Sequence, residues 1–348
     1  MSAECRSIAS RLSDQASYER TQAMRAIQNT AFGDPVETLK LVDLPEPAST
    51  GPDEVLIAME YAPINGNDLA VITNRFAYST PLPSIVGNEG VGRVLQVGSN
   101  VSNVKVGDRV LPPLYALTWR ERLVIPAKGL IALPANVDPR QLAMLRINPP
   151  TAVLLLGRFV DLKEGDWIVQ NAANSGIGRT VIALAKKRGL RTINFVRRPE
   201  LVKELEEAGG DVVLVDAPCA TDKARAAAGP GNVRLAIDGL SGSAAARLID
   251  VLSQNGTLVS YAFTSGELVT PLKAVDLHLR GIVVRGIYID LPEYLPYIMD
   301  AIKESAELMA RGELDLPVAA VYPLADYQKA VAHAIKGGKV LLDLRSSK

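Results

Sequence analysis

The residues most suited to chemistry lie in the segment Asp166-Trp-Ile-Val-Gln-Asn-Ala-Ala-Asn-Ser-Gly-Ile-Gly178. An apolar run ends in small residues, and a helical pattern follows. A strand leading through such a turn into a helix can hold a pyrophosphate. Small side chains let the backbone approach the phosphates, and the helix start offers free N–H groups and partial positive charge. The usual spacing is Gly-x-Gly-x-x-Gly; here Ala173, Ser175 and Gly178 take the three places, with Gly176 beside them. A plain strand-to-helix turn is the alternative. The strand–helix repeats that follow favour the cofactor turn.

The end of the next strand bears on which dinucleotide is bound. An NAD-binding chain places Asp or Glu about 20 residues on, to hold the ribose 2′-hydroxyl. This chain has Val196-Arg197-Arg198-Pro199. Two guanidiniums suit a 2′-phosphate, so NADPH is the expected cofactor; an ordinary solvated corner is the other reading of the pair. Metal chemistry lacks ligands. Zinc sites take three or four protein ligands, and the chain has only Cys5, Cys219, His278 and His333 of the thiolate and imidazole types, widely scattered. No metal is expected.

These residues need elements to position them. From Met24 the pattern is β-rich: Met24–Asn29, Thr38–Asp43, Glu54–Tyr61, Glu89–Gly98 and Arg109–Leu111 are short apolar stretches between Gly, Pro and Asp turns. Near residue 140 the character changes. Gln141–Leu145 and Thr151–Phe159 are expected helices, broken by Asn148–Pro150. Strands at Asp166–Ala172, Arg191–Val196, Asp211–Val215, Leu235–Asp238, Thr257–Tyr261 and Val283–Ile287 then alternate with helices such as Ile177–Arg188 and Pro199–Ala208. That order calls for a doubly wound parallel sheet. A helix runs from Pro292 to about Arg311. Val318–Leu324 and Val340–Leu344, around the helix Tyr327–Ile335, return to the first domain. The expected division is an extension at 1–23, a catalytic domain at 24–147 and 313–348, and a dinucleotide-binding domain at 148–312.

Composition bounds the remaining classes. The 348 residues carry 38 basic and 38 acidic side chains, which points to no nucleic-acid partner. No apolar run reaches the ~18 residues needed to span a bilayer, so no membrane partner is expected. Two distant cysteines fit a reducing compartment. Residues 1–22 carry Ser, Arg and Ala as a transit peptide does, yet Glu4, Asp14 and Glu19 fit an extra arm better, since transit peptides are poor in acid. The expected location is the cytoplasm, or the mitochondrial matrix if the extension is a transit peptide.

Further motifs carry a resemblance. They are Ala62-Pro-Ile-Asn65 with Asp68, Gly87-Asn-Glu-Gly90, Val106-Gly-Asp-Arg-Val110, Thr118-Trp119, Asn148-Pro-Pro-Thr-Ala152, Asn171-Ala-Ala-Asn-Ser-Gly-Ile-Gly178 and Arg191-Thr-Ile-Asn194. From Met24 to Leu344 the chain resembles the zinc-free branch of the medium-chain dehydrogenase/reductase superfamily. Within it, the chain is similar to the mitochondrial-type trans-2-enoyl thioester reductases. The resemblance implies a Rossmann domain joined to a GroES-like, partly antiparallel β-rich catalytic domain. It implies an NADPH-dependent reductase of an activated C=C bond in a small-molecule or acyl-thioester substrate, and a homodimer paired through Val283–Ile287. Zinc-dependent members carry His where this chain has Asn88, before Glu89.

The resemblance also implies roles residue by residue. Asn148 and Asn65 belong near the nicotinamide, and Asn174, Ser175, Gly176, Ile177 and Gly178 form the phosphate turn. Arg197 and Arg198 face the 2′-phosphate, although the family often has an Asp between two arginines. Tyr261, Ala262, Phe263 and Thr264 form a cofactor-facing loop where the family usually has glycines, unlike Phe263. Ile287, Tyr288 and Ile289 lie beside the nicotinamide, and Lys339 reaches the cofactor. The family's catalytic Tyr aligns without gaps to Phe76, which has no hydroxyl. Tyr78, two residues on, is the candidate acid for protonating Cα, since a two-residue step keeps one strand face. A packing role for Tyr78 stays open. So do two other functions: reduction of a quinone or an α,β-unsaturated ketone or aldehyde, and non-catalytic NADPH sensing.

Overall fold

The computed structural model describes residues 23–47, 50–75, 80–229 and 232–345. The described chain opens with β1 (Ala23–Asn29), antiparallel to β2 (Leu39–Pro45) with Ala26 opposite Val42. Between them Asp34 starts the single turn α1 (Pro35–Thr38): its carboxylate accepts the Val36 N–H at 2.8 Å, and proline fills a place where an N–H would have no partner. There follow β3 (Glu54–Ile64), α2 (Gly66–Ile72), β4 (Ser84–Ile85), β5 (Val91–Val97), β6 (Arg109–Val110), β7 (Arg122–Pro126) and α3 (Pro139–Leu142).

The alternating stretch comes next. It runs α4 (Asn148–Gly157), β8 (Trp167–Gln170), α5 (Gly176–Lys187), β9 (Arg191–Val196), α6 (Leu201–Glu207), β10 (Val212–Val215), α7 (Ala220–Ala228), β11 (Val233–Asp238), α8 (Gly242–Val251), β12 (Thr257–Ser260), α9 (Ala274–His278), β13 (Val283–Gly286) and α10 (Leu295–Ala310). The chain ends through β14 (Ala320–Pro323), α11 (Tyr327–Lys336) and β15 (Val340–Asp343).

Two compact units result, one from the residues up to Arg146 together with those from Pro317 on, the other Ile147–Leu316. In the first, β4 and β2 flank β1 in a three-stranded sheet, and a second sheet has the order β14-β15-β3-β5-β6 with β7 also on β3. β3 is the spine: it pairs β5 along one edge, and β7 then β15 along the other. Its apolar side chains join a core with Ile27, Leu39, Trp119, Leu123 and Val331.

In the second unit six parallel strands take the order β10-β9-β8-β11-β12-β13. This is the Rossmann order, in which the chain turns back between the central strands β8 and β11, and ligands bind beyond the carboxyl ends there. All four residues of β8 are buried, as a strand covered on both faces must be.

The local expectations needed two corrections. Asn148–Pro150 does not interrupt a helix but begins α4, because prolines in a first turn forfeit no intrahelical hydrogen bond. α1, α2, β4 and β7 were absent from the expected elements; β7 contains the apolar run Leu123–Ile125 and pairs with β3.

Candidate functional site

The parallel-sheet unit carries the turn between β8 and α5. Ala172 takes a left-handed φ of 48°, which swings the chain out of the strand. Ser175 then caps α5, its Oγ accepting the Gly178 N–H at 3.1 Å. A Cβ at Gly178 would lie 2.5 Å from the Ala173 carbonyl oxygen, so only glycine lets helix and turn pack this closely. A Cβ at Gly176 would lie 2.6 Å from Asn148 Nδ2, so the structure brings Asn148 against the turn. Beneath it, Gln170 Nε2 donates to the Gly178 carbonyl at 3.0 Å and to Asn194 Oδ1 at 2.7 Å, tying α5 to β8 and β9. Asn174 and Ile177 complete the turn; N–H groups at a helix start can receive an anion, and Arg179 Nε donates to the Asn174 carbonyl at 3.2 Å.

Around this turn the other candidates fall unevenly. The Tyr261 hydroxyl hydrogen-bonds Ser175, and burial pushes its pKa up to about 12. Thr264 Oγ1 donates to the Gly239 carbonyl at 2.8 Å, which holds the loop, while Phe263 is exposed beside the half-buried Ala262. Ile287 and Ile289 are buried and Tyr288 is exposed. Arg197 and Arg198 are exposed at the end of β9, and among the described residues their one ion pair is a loose Arg198–Glu200 contact at 3.7 Å. Sequence reasoning missed Asp238 at the end of β11. Its carboxylate accepts Asn171 Nδ2 at 2.7 Å and the Leu240 and Ser241 N–H groups at 3.0 Å, fixing the neighbouring loop.

The β-rich unit carries a buried polar cluster. Antiparallel pairing of β15 with β3 sets Val340 opposite Ile64, which places Lys339 beside Asn65. Lys339 Nζ donates to Asn65 Oδ1, and Asn65 Nδ2 donates to Glu89 Oε1 at 2.8 Å. An ammonium only donates and a carboxylate only accepts, so the amide has one orientation. Asp68 accepts the Asn65 N–H at 2.7 Å and the Asn88 N–H at 2.9 Å. Asp68 and Glu89 are 2% and 0% exposed. Burial, reinforced by Glu89, raises the Asp68 pKa from 3.8 to about 7, against the pull of its backbone donors and of Lys339. Burial lowers the Lys339 pKa, opposed by both carboxylates. Glu89 was visible in sequence only as part of a motif.

Phe76 and Tyr78 lie outside the described residues. Trp119 is fully buried in the β-rich core, a packing position. His333 Nδ1 meets the Tyr322 hydroxyl at 3.1 Å, and Cys219 is exposed.

Residues 51–134 match the family model of the alcohol dehydrogenase GroES-like domain, and residues 176–304 match that of the zinc-binding dehydrogenases. Mitochondrial enoyl-[acyl-carrier-protein] reductases are similar along nearly the whole chain. The Rattus norvegicus protein is 33% identical over 93% of this chain and 89% of its own length, and the Homo sapiens protein 33% over 90% and 86%. Among solved structures, a mitochondrial 2-enoyl thioester reductase heterodimer from Candida tropicalis matches with a TM-score of 0.84 at 23% identity, over 92% of this chain and 99% of that one. A Bacillus thuringiensis protein described as a putative NADPH:quinone reductase matches with a TM-score of 0.82 at 28% identity, over the same shares.

Zinc does not fit the cluster that stands where the family's metal would be sought. The side chains there are the Asn65 amide and the Asp68 and Glu89 carboxylates, and the Lys339 ammonium would oppose a second cation. Among the described residues no three His, Cys, Asp or Glu side chains converge as a metal would need. With the fold, the turn and near full-length kinship in agreement, the chain belongs to the mitochondrial-type enoyl thioester reductases of the medium-chain dehydrogenase/reductase superfamily.

Proposed function

We propose that this chain is an NADPH-dependent enzyme that reduces the C=C bond of a trans-2-enoyl thioester, with hydride reaching Cβ and a proton reaching Cα. Kinship with enoyl reductases along almost the whole chain carries this reading. NADPH, when bound, supplies the hydride. The N–H groups at the start of α5, framed by Asn174, Ser175, Gly176, Ile177 and Gly178, hold the pyrophosphate. Arg197 and Arg198 pair with the 2′-phosphate. Asn148, Ile287, Tyr288 and Ile289 serve the nicotinamide end, and Tyr261, Ala262, Phe263 and Thr264 the cofactor-facing loop. In the β-rich unit Lys339 and Asn65 serve the cofactor, their orientation fixed by Glu89. The Tyr78 hydroxyl gives the proton to Cα.

The test is NADPH oxidation with crotonyl-CoA, benzoquinone and an enone in parallel, for wild type and Tyr78→Phe. Thioester turnover that collapses in the variant supports the proposal. Turnover of the quinone or enone alone, indifferent to the substitution, supports the second reading. Phe76 at the aligned position and the Bacillus thuringiensis relative favour that second reading. NADPH binding with no turnover of any acceptor is the result a sensor would give.

The assembly we propose is a homodimer through β13. That strand forms the edge of the parallel sheet and all four of its residues are exposed, two of them valines; an unpaired apolar edge invites a second strand. A monomeric mass by light scattering would exclude it. The domain boundaries we propose leave 1–23 as an extension, with 148–312 inserted in the β-rich domain. No described helix is long and apolar enough to cross a membrane. The cytoplasm is the proposed location, or the mitochondrial matrix if residues 1–23 act as a transit peptide. Imaging of fusions with and without that segment decides between them.

A further inference from the structure

The end of β10 carries a carboxylate where a phosphate site would tolerate it least. Asp216 follows β10 directly, and its N–H donates to the Val196 carbonyl at 2.7 Å. It therefore lies beside the strand end from which Arg197 and Arg198 emerge, on the ligand-binding rim of the sheet. Its side chain is 6% exposed. Arg247 on α8 holds it: Nε donates to Oδ1 at 2.6 Å and Nη2 to Oδ2 at 2.7 Å, a bidentate fork that engages both oxygens. Among the described residues, Arg197 and Arg198 meet no carboxylate closer than Glu200, 3.7 Å from Arg198.

We propose that Arg247 is a specificity-determining residue for NADPH that acts through Asp216, keeping that carboxylate from claiming the neighbouring arginines and from repelling the 2′-phosphate. The proposal rests on Arg197 and Arg198 taking that phosphate. A free carboxylate at this place accepts hydrogen bonds and carries negative charge, so it suits a ribose 2′-hydroxyl and opposes a phosphate dianion. It would also recruit the nearest guanidinium as its counter-ion. With both oxygens bound to Arg247, neither happens. The same engagement occupies Arg247, which leaves the phosphate to the two exposed arginines. Charge at the strand ends is thus sorted in two steps: one arginine neutralises the acid, and two stay open.

The test is dissociation constants for NADPH and NADH, from nucleotide-fluorescence titration of the full chain. Arg247→Met weakens NADPH about tenfold, the effect of one uncompensated nearby charge, and leaves NADH within about twofold. Adding Asp216→Asn to that variant removes the freed charge and restores NADPH to within about threefold of wild type. The double variant also reads the effect if Arg247→Met alone folds poorly, since it buries no unpaired carboxylate. Equal weakening of both nucleotides by Arg247→Met would overturn the proposal, because it reports a structural role. Failure of the double variant to recover NADPH binding would also overturn it, because Arg247 would then contact the phosphate itself. Arg197→Ala with Arg198→Ala separates the two layers. If that variant keeps the NADPH preference, the assignment of the arginine pair fails and this proposal with it. If it loses the preference while Arg247→Met does not, the pair stands and only the role of Arg247 falls.

Discussion

The nucleotide turn of the parallel-sheet unit and the polar cluster of the β-rich unit place polar groups inside a protein in opposite ways. The turn uses almost no charge. Its N–H groups are aimed by a cap at Ser175, by close packing at Gly178 and by amides such as Gln170. The cluster buries two carboxylates and an ammonium whose partners come from distant segments. Neutral backbone donors cost far less to leave open at a partly exposed turn than charged groups cost to bury. Buried charges are costly unless every partner is present, so the cluster is the more fragile of the two.

That contrast breaks first at Glu89. Glu89→Leu removes the acceptor of Asn65 Nδ2 and leaves Lys339 with less compensation; breaking such a buried pair costs about 3–5 kcal/mol. Urea unfolding should show this loss, with kcat/KM falling further than stability alone explains because the Asn65 amide is freed to turn. A loss no larger than that of a surface substitution would mean that the cluster is solvated. Asp68 gives the next effect. Its folded pKa of about 7 lies above the ordinary 3.8, so the native state holds more protons between those values. The stabilisation is complete below the unfolded pKa and is lost as pH rises through the folded one. Between about pH 5 and about pH 8 the wild type should lose about 2–3 kcal/mol relative to Asp68→Asn, read from the two urea midpoints. Parallel pH profiles would show that Asp68 stays ionised.

The difference in construction also explains what could be read from sequence. The turn from Asn171 to Gly178 is contiguous, and its small residues follow from one steric demand, so its spacing together with the strand–helix repeats that follow exposes it. The parallel sheet, though not the order of its strands, followed from β–α alternation. The cluster joins Asn65 to Lys339 across 274 positions, and they meet only because β15 pairs with β3 in one register. No local pattern encodes that meeting. The resemblance assigned Asn65 and Lys339 separately, and nothing linked them to each other or to Glu89. Arg247 and Asp216, 31 positions apart, escaped because only the packing of α8 beside the end of β10 brings them together. Asn148 was assigned by motif, yet its seat against Gly176 depends on α4 starting at the prolines, where sequence reasoning placed a break.

In the turn the same contrast is sharpened by Gly178→Ala. The added methyl meets backbone at 2.5 Å and no flexible side chain can yield. Overpacking of this kind costs about 1–3 kcal/mol. Because the strain falls at the start of α5, where the pyrophosphate is proposed to sit, NADPH and NADH binding should weaken together. Fluorescence titration of both nucleotides checks this; loss of NADPH binding alone would place the 2′-phosphate against this glycine.

Tyr261→Phe is the mildest change and isolates one hydrogen bond. The hydroxyl bonds Ser175, which still caps α5 through the Gly178 N–H when the phenol is gone. The ring stays, so no cavity opens, and the expected cost is about 1 kcal/mol. Both nucleotides should bind about fivefold more weakly, since the pyrophosphate proposed to sit at the turn is common to both. That equality is the opposite of the split expected for Arg247→Met. The turnover number should hold, and its pH profile should not change. A phenol whose pKa is pushed up to about 12 keeps its proton throughout the assay range. A fall in kcat with unchanged nucleotide affinity would move Tyr261 from the turn to the reacting atoms, and would make it a rival to Tyr78 for the proton at Cα.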